Sequence, residues 1–384
     1  MKSQALILWW TRILAMTVKE LKQLIRDPAL LLIIVYFFTA DVYLAGSGIN
    51  LSLKSASVMV IDRDHSEASR ELIHRFRQPY FDLKGEITSK NEAEDLLNTG
   101  KILAVLDIPE NFQKQLLQSQ SVSVQFQVDS SNTVLGTLAT TYATEITASF
   151  GQDFVVKRLG INSEQLAALP IIQNRHRVLY NPNRIDGWFM SISELLTVIT
   201  ILSLMLPAAA AVREKERGTI EQLAVSPLSS LQILLPKVIS MGLVILIGVA
   251  ACLFLIIIPI FELPIKGSLG LFFAVTALYV FTTSGIGLFV ATISRNLGQM
   301  AMLGILILMP ILLLSGAWTP PEAMPQVMRW AMTISPLYYF NEMGYAILFK
   351  GAGLDIIWDS LLGLSVLGGF FFNFGVWRFR KQFG

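Results

Sequence analysis

Charge is scarce in this chain. Of its 384 residues, 15% are Asp, Glu, Lys or Arg against 53% apolar, and mean hydropathy is +0.56. That balance excludes an ordinary soluble domain and points to an integral membrane protein. Cysteine occurs once, at Cys252 inside an apolar run. A disulfide within the chain and a structural zinc site built on several thiolates are therefore excluded. The three histidines, His65, His74 and His176, stand at no ligand spacing. No Gly-x-x-x-x-Gly-Lys-[Ser/Thr] occurs, so the chain cannot hydrolyse ATP through a P-loop. The net charge of +2 carries no message about nucleic acid, and no nucleic-acid partner is expected. A cleavable signal pattern is also lacking. The first apolar run begins near Ala29, too late and too long for one, so it should remain as an anchor.

What is present is a series of long apolar runs. A helix needs about 20 apolar residues to cross the hydrocarbon core, and six segments qualify: Pro28–Gly48, Trp188–Val212, Val238–Phe261, Ser268–Ser294, Leu297–Thr319 and Asp355–Trp377. Basic residues cluster before the first, after the second and fourth, and behind the sixth. With six spans they all fall on one side, which makes both termini cytoplasmic. The expected organisation is a cytoplasmic amphipathic helix over 1–27, a first span over 28–48, an extracytoplasmic domain over 49–186 and a second span over 187–212. A cytoplasmic loop over 213–236 follows. Four further spans occupy 237–378, with short re-entrant or interfacial helices at 318–350, and a cytoplasmic tail occupies 379–384.

Over Leu8–Arg26, Trp10, Leu14, Thr17, Leu21 and Ile25 share one side of a helix, and Arg12, Lys19, Lys22 and Arg26 share another. That pattern suits a helix lying on an anionic leaflet. The segment after the first span is long enough for its own core. Strand-like stretches at Ser57–Ile61, Tyr80–Ile87, Ile102–Ile108 and Val122–Val128 alternate with helical stretches at Ser66–Arg77, Asn91–Asn98 and Pro109–Ser119. A long helix over Val134–Gly160 follows, and the whole predicts a small α/β sheet. Ser130, Ser131, Asp62, Asp64 and His65 are not framed by a nucleophile elbow, metal spacing or phosphate loop, so an interaction role fits this domain better than an enzymatic one.

One dense island of charge interrupts the apolar runs, Arg213-Glu214-Lys215-Glu216-Arg217-Gly218-Thr219-Ile220-Glu221. Such an island belongs in water. Thr219 with Gln222 and Ser229 with Gln232 are capping-box pairs, Gly218 permits a sharp exit, and Ser226-Pro227 separates two short helices. Order in a connector implies something that docks there.

The pattern Arg-Glu-x-Glu-x-Gly-Thr-Ile-Glu-Gln-Leu-x-x-x-Pro followed by Lys237 resembles the loop after the second span of ABC-2 type transport permeases. Asn181-Pro182, Leu314-Ser315-Gly316, Pro320, Pro325 and Ser335-Pro336 extend the likeness over the full chain. It is similar to inner-membrane permeases of Gram-negative bacteria of the Yhh/Ybh type, which are encoded beside a membrane-fusion protein. The resemblance implies a six-span transmembrane subunit that works as a dimer, or with a paralogous permease. It binds no cofactor itself, while ATP and Mg sit on a separate ATPase subunit. It further implies a coupling role for Arg213, Glu214, Glu216, Gly218, Thr219, Glu221, Gln222, Leu223, Pro227 and Lys237. A periplasmic adaptor joined to an outer-membrane channel is the implied outer partner, and hydrophobic or amphipathic molecules are the expected cargo.

Pathway or gate candidates are Asp41 and Glu194, the intramembrane acids, with Ser315, Gly316, Pro320 and Pro325 near the outer end of the fifth span. Gly285, Gly287, Gly298 and Gly304 are expected to allow close helix packing. Two rivals remain. An ion-coupled secondary transporter would show repeated halves and midplane ionisable groups. A membrane-anchored sensor or scaffold would use mainly the inserted domain.

Overall fold

The computed structural model describes residues 2–48, 55–131, 133–159, 180–183, 185–219, 228–317, 319, 321 and 324–383. The chain opens with helix α1 (Lys2–Ile25). Asp27 then caps α2 (Pro28–Gly48), its side chain accepting from the Leu30 amide at 3.1 Å with Pro28 in the first turn. A wide π turn at Phe37–Asp41 interrupts α2.

Residues 50–177 form a compact unit of their own. Strands β1 (Ala56–Asp62), β2 (Phe81–Glu86) and β3 (Ala104–Ile108) pair in parallel, and β4 (Gln125–Val128) pairs antiparallel with β3, in the order β2-β1-β3-β4. Helices α3 (Glu67–Arg75), α4 (Lys90–Asn98) and α5 (Phe112–Leu117) make the connections, and α6 (Thr133–Leu159) follows β4. The period of two along a strand sorts the core. Val58, Val60, Ala104, Leu106 and Ile108 join Leu72 of α3 and Phe150 of α6. Ile61 and Val105 instead join Ala93 of α4. The α/β expectation is met element by element. Asp62 spends its carboxylate on the turn after β1, accepting from the amides of Asp64 and His65 and from the Ser69 hydroxyl at 2.6 Å. Those polar groups hold a turn.

The remaining residues join α1 and α2 in a second unit. Helix α7 (Asp186–Glu216) is its axis: 83% of its most apolar stretch is buried, against 22% for α2. Around it stand α8 (Ser230–Phe261), α9 (Leu269–Ile293), α10 (Leu297–Leu313) and α13 (Leu354–Phe383). Helices α11 (Gln326–Met332) and α12 (Pro336–Tyr345) lie between α10 and α13 in sequence. Val327 and Trp330 leave α11 strongly exposed. By contrast Leu337, Phe340 and Met343 bury α12 in the bundle, where Phe340 stacks on Tyr279 at 4.0 Å. Helix α12 thus packs into the helix body, whereas α11 presents an exposed apolar face.

Several expected boundaries shift, each for a local reason. Arg213–Glu216 belong to the last turns of α7, because the Ala-rich run before them and the residues themselves favour helix. The helix ends only where Gly218 takes φ +65°. Helix α8 starts at Ser230, since Ser229 and Gln232 form the reciprocal capping box, and Pro236 sits inside it. Helix α13 continues through Phe383, so the expected tail is helical. Helix α10 stops at Leu313 rather than Thr319, as Gly316 adopts φ +78° just beyond. Among the described residues five helices are long and apolar enough to cross a membrane, and α10, at 17 residues, lies at the lower limit.

Glycine sets the tightest contacts. A Cβ on Gly287 would lie 2.2 Å from the Leu204 carbonyl oxygen, and one on Gly285 would lie 2.6 Å from the Phe372 amide nitrogen. A Cβ on Gly298 would meet only the Asn296 side chain, at an ordinary contact distance of 3.5 Å. Gly287→Leu should therefore lower the unfolding midpoint in detergent, at a cost of about 1–3 kcal/mol for overpacking, whereas Gly298→Ala should leave it unchanged. Equal midpoints for both would contradict the packing.

Candidate functional site

The charged island is wired into its own chain. Four consecutive side chains at the end of α7 each reach a different element. Arg213 pairs with Asp27 at the start of α2. Glu214 pairs with Lys19 of α1 and, at 2.7 Å, with Lys237 of α8. The Lys215 ammonium donates to the carbonyls of Thr292 and Ser294, the latter at 2.9 Å, where it meets the negative end of α9. The Glu216 carboxylate accepts from the Leu297 amide at 2.8 Å and so caps α10. A further link closes the set, as Lys237 pairs with Glu20 of α1 at 2.8 Å. Six helices meet in one joint.

Its centre is dry. Lys237 is 1% exposed, Glu20 2% and Glu214 5%. Charges removed from water this completely persist only when paired. Here one ammonium faces two carboxylates, and Lys19 balances the second. Burial alone would lower the Lys19 pKa, but its hydrogen bond to Glu214 and the attraction of Glu214 and Glu20 hold it above the usual lysine range. The Leu30 amide, then Arg213, hold the Asp27 carboxyl below the usual carboxylate range.

The structure places several of the predicted coupling residues inside the chain. Glu214 and Lys237 are both buried against α1. Arg213 and Glu216 have their charges engaged by Asp27 and the start of α10. Gly218 forms the bend, and Thr219 donates its hydroxyl to the Glu214 carbonyl at 3.1 Å. Glu221, Gln222, Leu223 and Pro227 lie outside the described residues, so the capping box of Thr219 with Gln222 cannot be read. Sequence reasoning missed Glu20 and Asp27. A signal existed, since Glu20 is the only acid in an otherwise basic helix. Thr17 and Lys19 also turn toward the protein. The buried face of α1 is Ile13, Thr17, Glu20 and Leu24, while Ile7, Trp10, Leu14 and Ile25 are exposed.

The pathway candidates fall into two groups. Asp41, in the π turn of α2, and Glu194 of α7 lie beside one another. The sequence treated them as separate acids. Ser315 is buried, and its carbonyl accepts from Asn341 of α12 at 3.4 Å. A Cβ on Gly316 would lie 3.2 Å from the Met332 side chain of α11, and Pro325 begins α11. The Ser335 hydroxyl reaches back to the Ile311 carbonyl at 3.1 Å. The end of α10 is thereby tied to α11 and α12; Pro320 lies outside the described residues. Below that turn is a cavity of about 400 Å³ whose walls include Phe289, Leu306, Pro310, Ile334, Phe370 and Phe374. Its walls offer almost nothing to a polar molecule.

A body of long apolar helices with a buried cluster of ion pairs at the end of α7 defines an integral membrane protein. Residues 28–377 match the model of the ABC-2 family transporter protein, and the chain belongs to that family. It is a transport permease subunit and non-catalytic, with ATP hydrolysis on a separate chain. It is 35% identical to the inner membrane transport permease YhhJ of Escherichia coli (strain K12) over 367 residues, 96% of each chain. The probable multidrug ABC transporter permeases YbhR and YbhS of the same strain are 30% and 28% identical, covering 91% and 90% of this chain and 93% and 90% of their own lengths.

The joint makes a graded prediction. Lys237→Ala removes the buried cation that Glu20 and Glu214 share, leaving the two carboxylates only Lys19, and should cost about 3–5 kcal/mol of stability. Arg213→Ala opens a half-exposed pair and should cost no more than about 1 kcal/mol. Denaturant titration of the purified chain distinguishes the two, and equal losses would contradict the assigned burial.

Proposed function

We propose that the chain crosses the inner membrane six times, with both termini in the cytoplasm and the inserted α/β domain outside. In this reading two permease copies, identical or paralogous, export hydrophobic or amphipathic cargo. A separate ATPase carrying ATP and Mg docks on the segment from Gly218 through Leu223. The observation that carries the reading is the wiring of the charged island. Motion applied just beyond Gly218 would pass through Glu214 into α1 and α8, and through Glu216 into α10. The basic residues of α1, of the α7–α8 connection and of the end of α13 all fall on one side of six spans, which supports the topology. The apolar cavity beside the end of α10 supports an apolar cargo, as does the multidrug designation of YbhR and YbhS. The inserted domain, with no catalytic frame, suits a periplasmic adaptor leading to an outer-membrane channel.

Glu221→Arg combined with Leu223→Asp tests the docking segment. Copurification of a P-loop ATPase with the chain should fall by about thirtyfold, the scale of a hot spot worth about 2 kcal/mol, while the melting temperature of the permease holds. Undiminished association would remove the docking assignment.

A further inference from the structure

At the corner where α1 turns into α2, beside the end of α7, lies a cavity of about 490 Å³. We propose that it holds the phosphate of an anionic phospholipid from the leaflet on which α1 lies. Charge carries the argument. Lys19, Arg26, Arg213 and Arg217 line the cavity together with Glu20, Asp27 and Glu214, and Lys237 contacts two of those carboxylates from behind. That makes five cations against three carboxylates. The three carboxylates are engaged by Lys19, Lys237 and Arg213. Arg26 and Arg217 are left, both exposed and without an ionic partner among the described residues. Two unbalanced guanidinium groups facing one concavity form a fork suited to a phosphate diester.

The apolar lining identifies the rest of the ligand. Leu24 and Met241 line the same cavity, so a molecule seated there meets hydrocarbon as well as cations. Free phosphate would gain nothing from the apolar lining. The outer face of α1, with Ile7, Trp10, Leu14 and Ile25 exposed, places this corner at headgroup depth when the helix lies on a bilayer. Basic pockets between spans at that level are where anionic headgroups bind. The assignment to the cytoplasmic leaflet rests on the topology proposed above; the binding chemistry does not.

The test uses the full purified chain without its ATPase, delipidated in detergent, with bound lipid counted by native mass spectrometry. Dioleoyl phosphatidylglycerol should bind about thirtyfold more tightly than dioleoyl phosphatidylcholine, roughly fivefold for each arginine. In the Arg26→Gln, Arg217→Gln double variant that preference should collapse to about threefold or less, with the melting temperature unchanged because both residues are exposed. Inorganic phosphate at equal concentration should not displace the lipid. Displacement by phosphate would reassign the cavity to a free anion. Equal binding of the two lipids, or a preference that survives the double substitution, would overturn the proposal. A chain that keeps the preference yet fails to hold an ATPase would leave this site standing and sink only the docking segment.

Discussion

A charge withdrawn from water must find its counter-charge inside the protein, and this chain has few charges to place. Lys237 meets that constraint by facing Glu20 and Glu214 at once. Because those carboxylates come from α1 and α7, satisfying one ammonium fixes two other helices against α8. The rest of the joint builds outward from that contact. Arg213 fixes the start of α2, Lys215 the end of α9 and Glu216 the start of α10.

Such a cluster is a costly way to gain stability alone, since well-packed apolar side chains of similar volume often do as well or better. Its distinctive property is specificity of position. Apolar faces slide past one another at small cost, whereas a buried ammonium two residues out of register leaves carboxylates unpaired. A joint of this kind fixes the helices in register with one another. At the other end of α10, the Ser335 hydroxyl and the Asn341 amide donate to the carbonyls of Ile311 and Ser315, tying that end to α12. Helix α10, capped by Glu216 at one end and held there at the other, links the two regions.

Much of this was legible in the sequence because membrane helices and alternating strands obey simple periodicities. The apolar runs located the long helices, although α8 starts at Ser230 rather than Val238 and α10 ends at Leu313 rather than Thr319. The inserted domain was read from the apolar stretches at Ser57–Ile61 and Ile102–Ile108 and from the alternation of Val122, Val124, Phe126 and Val128. Ser229 and Gln232 announced their own capping box. What stayed hidden were relations between distant segments. Nothing local in Glu20 says that it faces Lys237, more than two hundred residues on, and Asp41 gives no hint of Glu194. The island misled for a related reason. A run of exposed-looking charge reads as a loop, but here the run continues a helix, and its side chains are used within the chain.

The central claim is that α1 and α8 are held together by the Glu20–Lys237 pair, and a double-mutant cycle measures that most directly. With Glu20→Gln, Lys237→Met and the combination, unfolding free energies of the full chain should show a coupling of about 1–3 kcal/mol, the range for residues in contact within one network. Additivity within about 0.5 kcal/mol would mean that the two residues do not meet, and the joint as described would be wrong.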